Sequence, residues 1–543
     1  MIRLKGGLVV DPANARNEIG DIWIDGSHIA SEPVHRAAGQ TIDVSGCVVM
    51  AGAIDIHSHI AGGNVDTARL LLPEEHRAYV LRPRETHLST AGWTTRETGR
   101  LYAQMGFTTV VEPAVVPSHA LHAHLELADI PIIDKAGLCV LGNDDFLLQL
   151  IREKESASAI MDYVAHMVRT TKALGVKVIN AGAAAAFKQN ARTFTLDDVV
   201  PAYGVSSRKI VETLQDAVEA LGIPHPLHVH CNNLGEAGNA DVAIATIEAA
   251  RGRPMHFAHM QFYGYGKEGK RGFSSAAARL AEAVNSHPNV TVDVGQVMFG
   301  QTVTVSCDVL RQFTARSHAR PRKWVIWDGE ASGGGIVPYN YSARSFYNAV
   351  QWAVGLELFL LIDDPWRVFF TTDHPNGAPF TAYPEIFGLL MDRNLRDEWI
   401  ANLPGAAMKM TTLPSITREY TIVEIATMTR AAPARLLGMR DRGHLTPGAL
   451  ADVAVYRANS DKVKMFGKAE LVFKNGRMVV RDGAVVATDA GSAYVVDVPS
   501  EAAMARRLNA YTHDIYGVDA SMFEVPFGFA GDRQLFETVP CGR

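Results

Sequence analysis

The stretch Gly52–Ile60 reads GAIDIHSHI, and its two histidines, His57 and His59, end an apolar run that starts at Val48. Side chains alternate faces along a strand, so residues two apart point the same way. Both imidazoles therefore face one point. Two neutral imidazoles converging from one strand end make half of a zinc site. The remaining ligands should then come from the ends of other strands.

Seven more short apolar runs follow: FTTVVEPA from Phe107, IPIIDKAGLCVL from Ile130, GVKVINAG from Gly175, HPLHVHCN from His225, PMHFAHMQ from Pro254, VTVDVG from Val290 and RVFFTTD from Arg367. They are rich in β-branched residues and nearly continuously apolar, as suits strands buried on both faces of a parallel sheet. Helical stretches such as SSAAARLAEAVNS (Ser274–Ser286) lie between them. Strand–helix units repeated over roughly 390 residues predict an α/β fold of the (β/α)8, TIM-like barrel kind rather than a doubly wound sheet. Active-site residues of such barrels sit at the C-terminal strand ends. His57 and His59, Lys177, His230, His259 and Asp373 fall there, on the first, fourth, fifth, sixth and eighth runs.

This constellation resembles the amidohydrolase superfamily, whose metal-dependent members carry His-x-His, a carboxylated lysine, two single histidines and an aspartate at these strand ends. Many members also close a small β-sandwich from both chain ends. Residues 1–46 and 440–490 read as short strands broken by Gly, Asn and Asp turns and are assigned to it. The barrel then spans 47–439, with a long insertion at 296–366, and 491–543 form a C-terminal extension that could contact a partner. A narrower resemblance rests on TTDHPNGAPFTAYPEI (Thr371–Ile386), HVHCNNLGEAGNAD (His228–Asp241) and HFAHMQFYGYG (His256–Gly266). These look like the alpha subunit of formylmethanofuran dehydrogenases and its counterpart in bacterial formyltransferase/hydrolase complexes. That resemblance implies reversible hydrolysis of the N-formyl amide of a methanofuran-type carrier, inside a complex with other subunits.

A formamide is a poor electrophile, so water must be activated and the developing oxyanion stabilised. Paired metal ions roughly 3.5–4 Å apart do both. The resemblance implies two Zn2+ ions: His57 and His59 on the more buried one, His230 and His259 on the other, and carboxylated Lys177 bridging them. Asp373 would touch the first ion and act as the catalytic base, then acid. By alternation His228 shares a face with His230, so either could be the ligand; His230 is preferred for its place at the strand end. His256, three residues from His259, is expected on the opposite face. His374 should turn from the metals toward the substrate mouth. Asn180, Asn232, Asn233, His119 and Tyr263 are candidate substrate-binding residues, with turn capping the competing role for the asparagines. Glu112, on the second run, is expected to reach the cavity. The basic stretch with Arg316, Arg320, Arg322 and Lys323 could guide an acidic carrier tail. Gly264, Gly266 and Gly269 spell G-x-G-x-x-G, with Asp293 at the distance of a ribose-binding acid. However, the preceding strand already supplies His259, and charges at Lys267 and Glu268 spoil a phosphate turn. A mobile loop over the cavity, with Tyr263 and Tyr265 as contacts, is the preferred reading.

Composition excludes several classes. The 543 residues are 47% apolar and 20% charged, with a net charge of −6. That profile speaks against nucleic acid as the main partner. Absence of a signal peptide and of a long apolar run predicts a cytoplasmic protein without membrane spans. Cys47, Cys139, Cys231, Cys307 and Cys541 are widely spaced and read as reduced thiols, not as a disulfide or iron–sulfur framework. Competing functions are a cyclic-amide hydrolase of hydantoinase or dihydropyrimidinase type, a deaminase with one metal, and a vestigial scaffold without activity.

Overall fold

The computed structural model describes residues 1–33, 39–71, 94–191, 194–306, 335–531 and 534–542. Eight parallel strands line up in chain order: β1 (Ala53–Asp55), β2 (Phe107–Val115), β3 (Asp134–Leu141), β4 (Gly175–Ile179), β5 (His228–His230), β6 (Met255–Phe257), β7 (Val290–Asp293) and β8 (Val368–Phe369). Each bonds to the next, and β8 returns to β1 through the parallel bridge Ser58↔His374. There the His59 N–H donates to His374 O at 2.7 Å and the Thr371 hydroxyl to His57 O at 2.5 Å. Closure is thus made by the segments that carry the site, beyond both strand ends.

Two runs depart from their sequence reading. The Val48–Ile56 run divides at Gly52, where a side chain would overlap Thr108. Cys47–Ala51 joins a separate sheet, and Ala53–Asp55 opens the barrel. RVFFTTD keeps ladder bonds at Val368–Phe369, after which the chain bends into the site. Parallel register sets Lys177 beside His228, His228 beside His256, and His256 beside Thr291. Neighbours in register share a face, so one interior layer of the barrel carries all four side chains.

The separate sheet has nine strands drawn from both chain ends, with Cys47–Ala51 antiparallel to Val453–Arg457 at its seam. Leu4, Val9, Ile24, Val49, Val455 and Phe473 pack into its own apolar core. The insertion supplies the antiparallel hairpin Gly300–Ser306/Gly335–Tyr341 and the buried helix Phe346–Leu361. Arg316, Arg320, Arg322 and Lys323 lie outside the described residues, as does Cys307. The C-terminal extension adds two parallel strands to the barrel sheet, β9 (Ala493–Val496) and β10 (Phe536–Val539), by pairing Ala493 and Tyr494 with Lys135 and Ala136 of β3. Its helix Ala502–Tyr516 packs on helix Ala157–Thr170. Cys47, Cys139, Cys231 and Cys541 are free thiols, and burial pushes Cys139 and Cys231 up to about 12, which keeps them unreactive. No helix among the described residues is long and apolar enough to cross a membrane.

A buried ion cluster ties barrel to sheet. Asp134 Oδ2 lies 2.6 Å from Arg442 Nη1 and 2.9 Å from Lys474 Nζ, and Lys474 also pairs with Asp452 at 3.1 Å. Burial raises the Asp134 pKa, but Lys474 and Arg442 outweigh it and bring it down to about 2. A carboxylate held below its unfolded pKa of about 3.9 adds stability above that pH and loses it as pH falls toward the folded value. Asp134→Ala removes the carboxylate that Arg442 and Lys474 share, leaving Lys474 to Asp452 and Arg442 to Asp441, and is expected to cost about 2–3 kcal/mol near neutral pH. Urea midpoints of wild type and variant should converge between about pH 4 and pH 2.

Candidate metal centre

The C-terminal strand ends open into a cavity of about 920 Å3. At its floor, side chains from β1, β4, β5, β6 and the β8 loop converge. His57 Nε2 lies 3.1 Å from Lys177 Nζ and 3.1 Å from Asp373 Oδ1, which is 3.3 Å from His59 Nε2. The ring of His259 is 5.2 Å from that of His57 and 4.5 Å from that of His230. Ligand atoms of His57, His259 and Asp373 all fall within 4.8 Å of one another. His59, Lys177, His230, His259 and Asp373 all face the cavity. Among the described residues, the buried His259 Nδ1 has no hydrogen-bond partner. A buried lone pair aimed into a set of imidazole and carboxylate donors suits a cation.

Local structure explains each placement. His57 and His59 alternate about Ser58, whose hydroxyl pairs with Tyr102 OH at 2.6 Å on the far side. His57 N–H is held by Asp55 Oδ1 at 3.0 Å. Glu112 of β2 accepts from the Ile60 and Ala61 N–H groups, at 2.7 and 3.1 Å, and lies 3.1 Å from His59 Nδ1. Burial pulls the His59 pKa down, but Glu112 and Asp373 overcome it and lift it to about 9. For His259, burial outweighs the pull of Asp373 and takes the pKa well below its ordinary value, so its ring stays neutral. Asp373 has the reverse balance: burial raises its carboxyl, and His259 and His57 hold it well below the usual range. Asn376 Nδ2 donates to Asp373 Oδ2 at 2.9 Å, which leaves Oδ1 directed at the histidines.

The other sequence candidates divide. His230 ends β5 on the cavity side, while His228 sits one layer deeper with Nε2 3.2 Å from His57 Nδ1. His256 does not face away as alternation suggests. Register with His228 turns it inward, to 3.1 Å from Asp293 Oδ2. Alternation fails because β6 ends at Phe257 and His259 takes a left-handed backbone with φ 34°. His119 lines the cavity. Asn180, Asn232 and Asn233 do not line it: the Asn180 N–H bonds His230 O, Asn232 bonds Ser207 and Asn233 Oδ1 accepts from Phe194 N. Tyr263 stacks on His259, with its hydroxyl on Cys231 O, and stands behind that ring rather than in the cavity. His374 packs against Phe380 and receives its N–H at 3.3 Å. Burial takes its pKa down to about 3.

The glycine-rich loop makes no phosphate turn: Tyr265–Gly266 pairs with Ser274–Ser275, and Tyr263 and Tyr265 are buried. Asp293 is no ribose acid. It lies in the barrel interior 2.9 Å from His57 Nδ1. Sequence reasoning passed over this role, although an aspartate ending the seventh strand obeys the same positional rule as the other site residues.

These features define the class. The chain belongs to the amidohydrolase family, whose profile matches residues 40–487. The family is metal-dependent, and the His/Asp groups here can hold an ion. Over the full length of both chains it is 51% identical to FhcA of the formyltransferase/hydrolase complex Fhc of Methylorubrum extorquens. It is 37% identical to the protein FwdA of Methanocaldococcus jannaschii, over 91% of this chain and 90% of that one. A chain in the crystal structure of FhcABCD from Methylorubrum extorquens in complex with methylofuran superposes with a TM-score of 0.95, 51% identity and full coverage of both chains.

One glycine is required at the floor. Gly295 (φ +68°) passes His259 so closely that a Cβ would lie 2.5 Å from the histidine's own Cβ. Gly295→Ala is expected to destabilise the chain by about 1–3 kcal/mol through overpacking. It should also weaken binding of a metal ion, read by thermal melting and by metal titration.

Proposed function

We propose that this chain is the hydrolytic subunit of a formyltransferase/hydrolase complex. It cleaves, reversibly, the N-formyl amide of a methylofuran- or methanofuran-type carrier to formate and the free amine. The observation that carries the reading is the 51% identity to FhcA, which covers both chains in full. Convergence of His59, Lys177, His230, His259 and Asp373 on one cavity, with His57 beside His259 and Asp373, supports it.

Two zinc ions are the proposed cofactors. His57 and His59 would hold one, His230 and His259 the other, and Lys177, carboxylated by CO2, would bridge them. Such ions lower the pKa of bound water to about 7 and polarise a carbonyl. The chain's own residues supply the proton path. Asp373 stays ionised in its cationic surroundings, and its Oδ1 accepts the proton of the attacking water. The new C–O bond forms at the formyl carbon. As the C–N bond breaks, Asp373 returns that proton to the departing amine nitrogen, leaving a neutral amine and formic acid, whose remaining proton passes to solvent to give formate. His119, Asn64 and Tyr341 line the wall past which the carrier's body would extend.

We place the partner contact on the C-terminal extension. Ile515, Tyr516, Val518, Met522, Phe527 and Leu535 are exposed there, all beyond the residues matched by the family profile. The relative's multi-subunit complex supports another member of such an assembly as the occupant. Cytoplasmic placement belongs to this reading.

Formate release from the N-formyl carrier by the chain with its co-purifying subunits tests the chemistry. Asp373→Asn should lower the rate by about 10²–10⁴-fold, the usual contribution of a general base. Lys177→Ala should abolish release; near-full activity with one bound ion would overturn the two-metal arrangement. Phe527→Glu with Met522→Glu should reduce co-purification of the other subunits and leave zinc content unchanged.

A further inference from the structure

One layer below the cavity floor lies a polar group that the proposed chemistry does not use: Asp293, His256, His228 and His225, each 0–1% exposed. Asp293 ends β7 and reaches across to two other strands. Its Oδ2 is 2.9 Å from His57 Nδ1 and 3.1 Å from His256 Nε2, and its Oδ1 accepts the His259 N–H at 2.6 Å. His228 Nε2 is 3.6 Å from the same Oδ2 and 3.2 Å from His57 Nδ1.

An ionised carboxylate only accepts, so His57 Nδ1 and His256 Nε2 carry the protons. The His57 tautomer with its proton on Nδ1 has its lone pair on Nε2. That is the atom 3.1 Å from both Lys177 Nζ and Asp373 Oδ1. The opposite tautomer would present N–H to the site and could not bind a cation. The second oxygen acts on the main chain. His259 has φ 34°, a left-handed backbone that costs a non-glycine residue energy. The bond from its N–H to Asp293 Oδ1 stabilises that turn and with it the direction of the ring. One carboxylate therefore sets the tautomer of a β1 histidine and the backbone of a β6 histidine.

We propose that Asp293 is a positioning residue of the metal centre, fixing His57 with Nε2 toward the cavity and His259 in its turn. The proposal rests on the reading of these two histidines as ligands, and not on the identity of the substrate. Its test is made on zinc and cobalt binding by the full chain with its co-purifying subunits. A failure of formate release would therefore leave it standing, and a failure here would leave the substrate assignment untouched.

Asp293→Asn keeps the shape but offers one acceptor oxygen, so it cannot serve both histidines. Loss of a carboxylate behind a metal-bound histidine typically lowers affinity by about 10–100-fold. The variant should show that loss for Zn2+ and an altered visible spectrum when loaded with Co2+, with the apo chain melting near the wild-type temperature. His228→Gln, which leaves the Asp293 bonds to His57 and His259 in place, should bind zinc like wild type. Should Asp293→Asn fail to fold, the cobalt-loaded wild type still decides. The His57 Nδ1–H must then give a hyperfine-shifted proton signal that exchanges slowly with D2O. Absence of that signal, or wild-type zinc affinity in Asp293→Asn, would overturn the proposal. So would a third zinc per chain lost in His228→Gln, because Asp293 would then be a ligand of a deeper site.

Discussion

Imidazoles, the lysine Lys177 and the carboxylates Asp293, Asp373 and Glu112 share the interior of this barrel, and an ion buried there alone costs several kcal/mol. Each must meet a partner, and the rest of the site follows from how they are matched. His57 stands at the centre. Its Nε2 faces Lys177 and Asp373, and its Nδ1 faces Asp293. His59 is matched by Glu112 and Asp373. These partners come from different strands, so the set exists only when the barrel is closed. The closing contacts, His59 N–H to His374 O and Thr371 to His57 O, lie inside the same segments. Barrel closure and site assembly are one event.

Elements outside the barrel shape what the site can admit. The hairpin Gly300–Ser306/Gly335–Tyr341 contributes Thr304 and Tyr341 to the cavity, and Tyr341 also donates to Asn376 O. The C-terminal extension contributes Leu508, Tyr511 and Tyr516 at the outer end. The cavity therefore runs from the strand ends of a family barrel to a wall that lies beyond the family profile.

Several features were legible because they depend on local periodicity. His57 and His59 announce themselves by two-residue spacing. The run GVKVIN puts Lys177 inside a buried strand, where a lysine needs a reason. His230 follows from its place at the strand end. Other features were not legible. His256 points inward because its register with His228 is set by a neighbouring strand, and His259 escapes alternation because its strand has already ended. Asn180, Asn232 and Asn233 looked like substrate contacts by position, but none lines the cavity, and the side chains of Asn232 and Asn233 bond within the folded loops. Asp293 was hidden by a better-known pattern that its surroundings do not support.

The sequence by itself determined the barrel, the resemblance to metal-dependent hydrolases and the residue types offered at each strand end. Those properties follow from hydrophobic runs and spacings along one chain, which act over a few residues. Only the tertiary structure decided which nitrogen of His57 faces the cavity, which acids stand behind the histidines, and that the C-terminal segment walls the site. Each depends on register and closure between strands far apart in sequence, and a one-residue shift of any strand would turn its side chains to the other face.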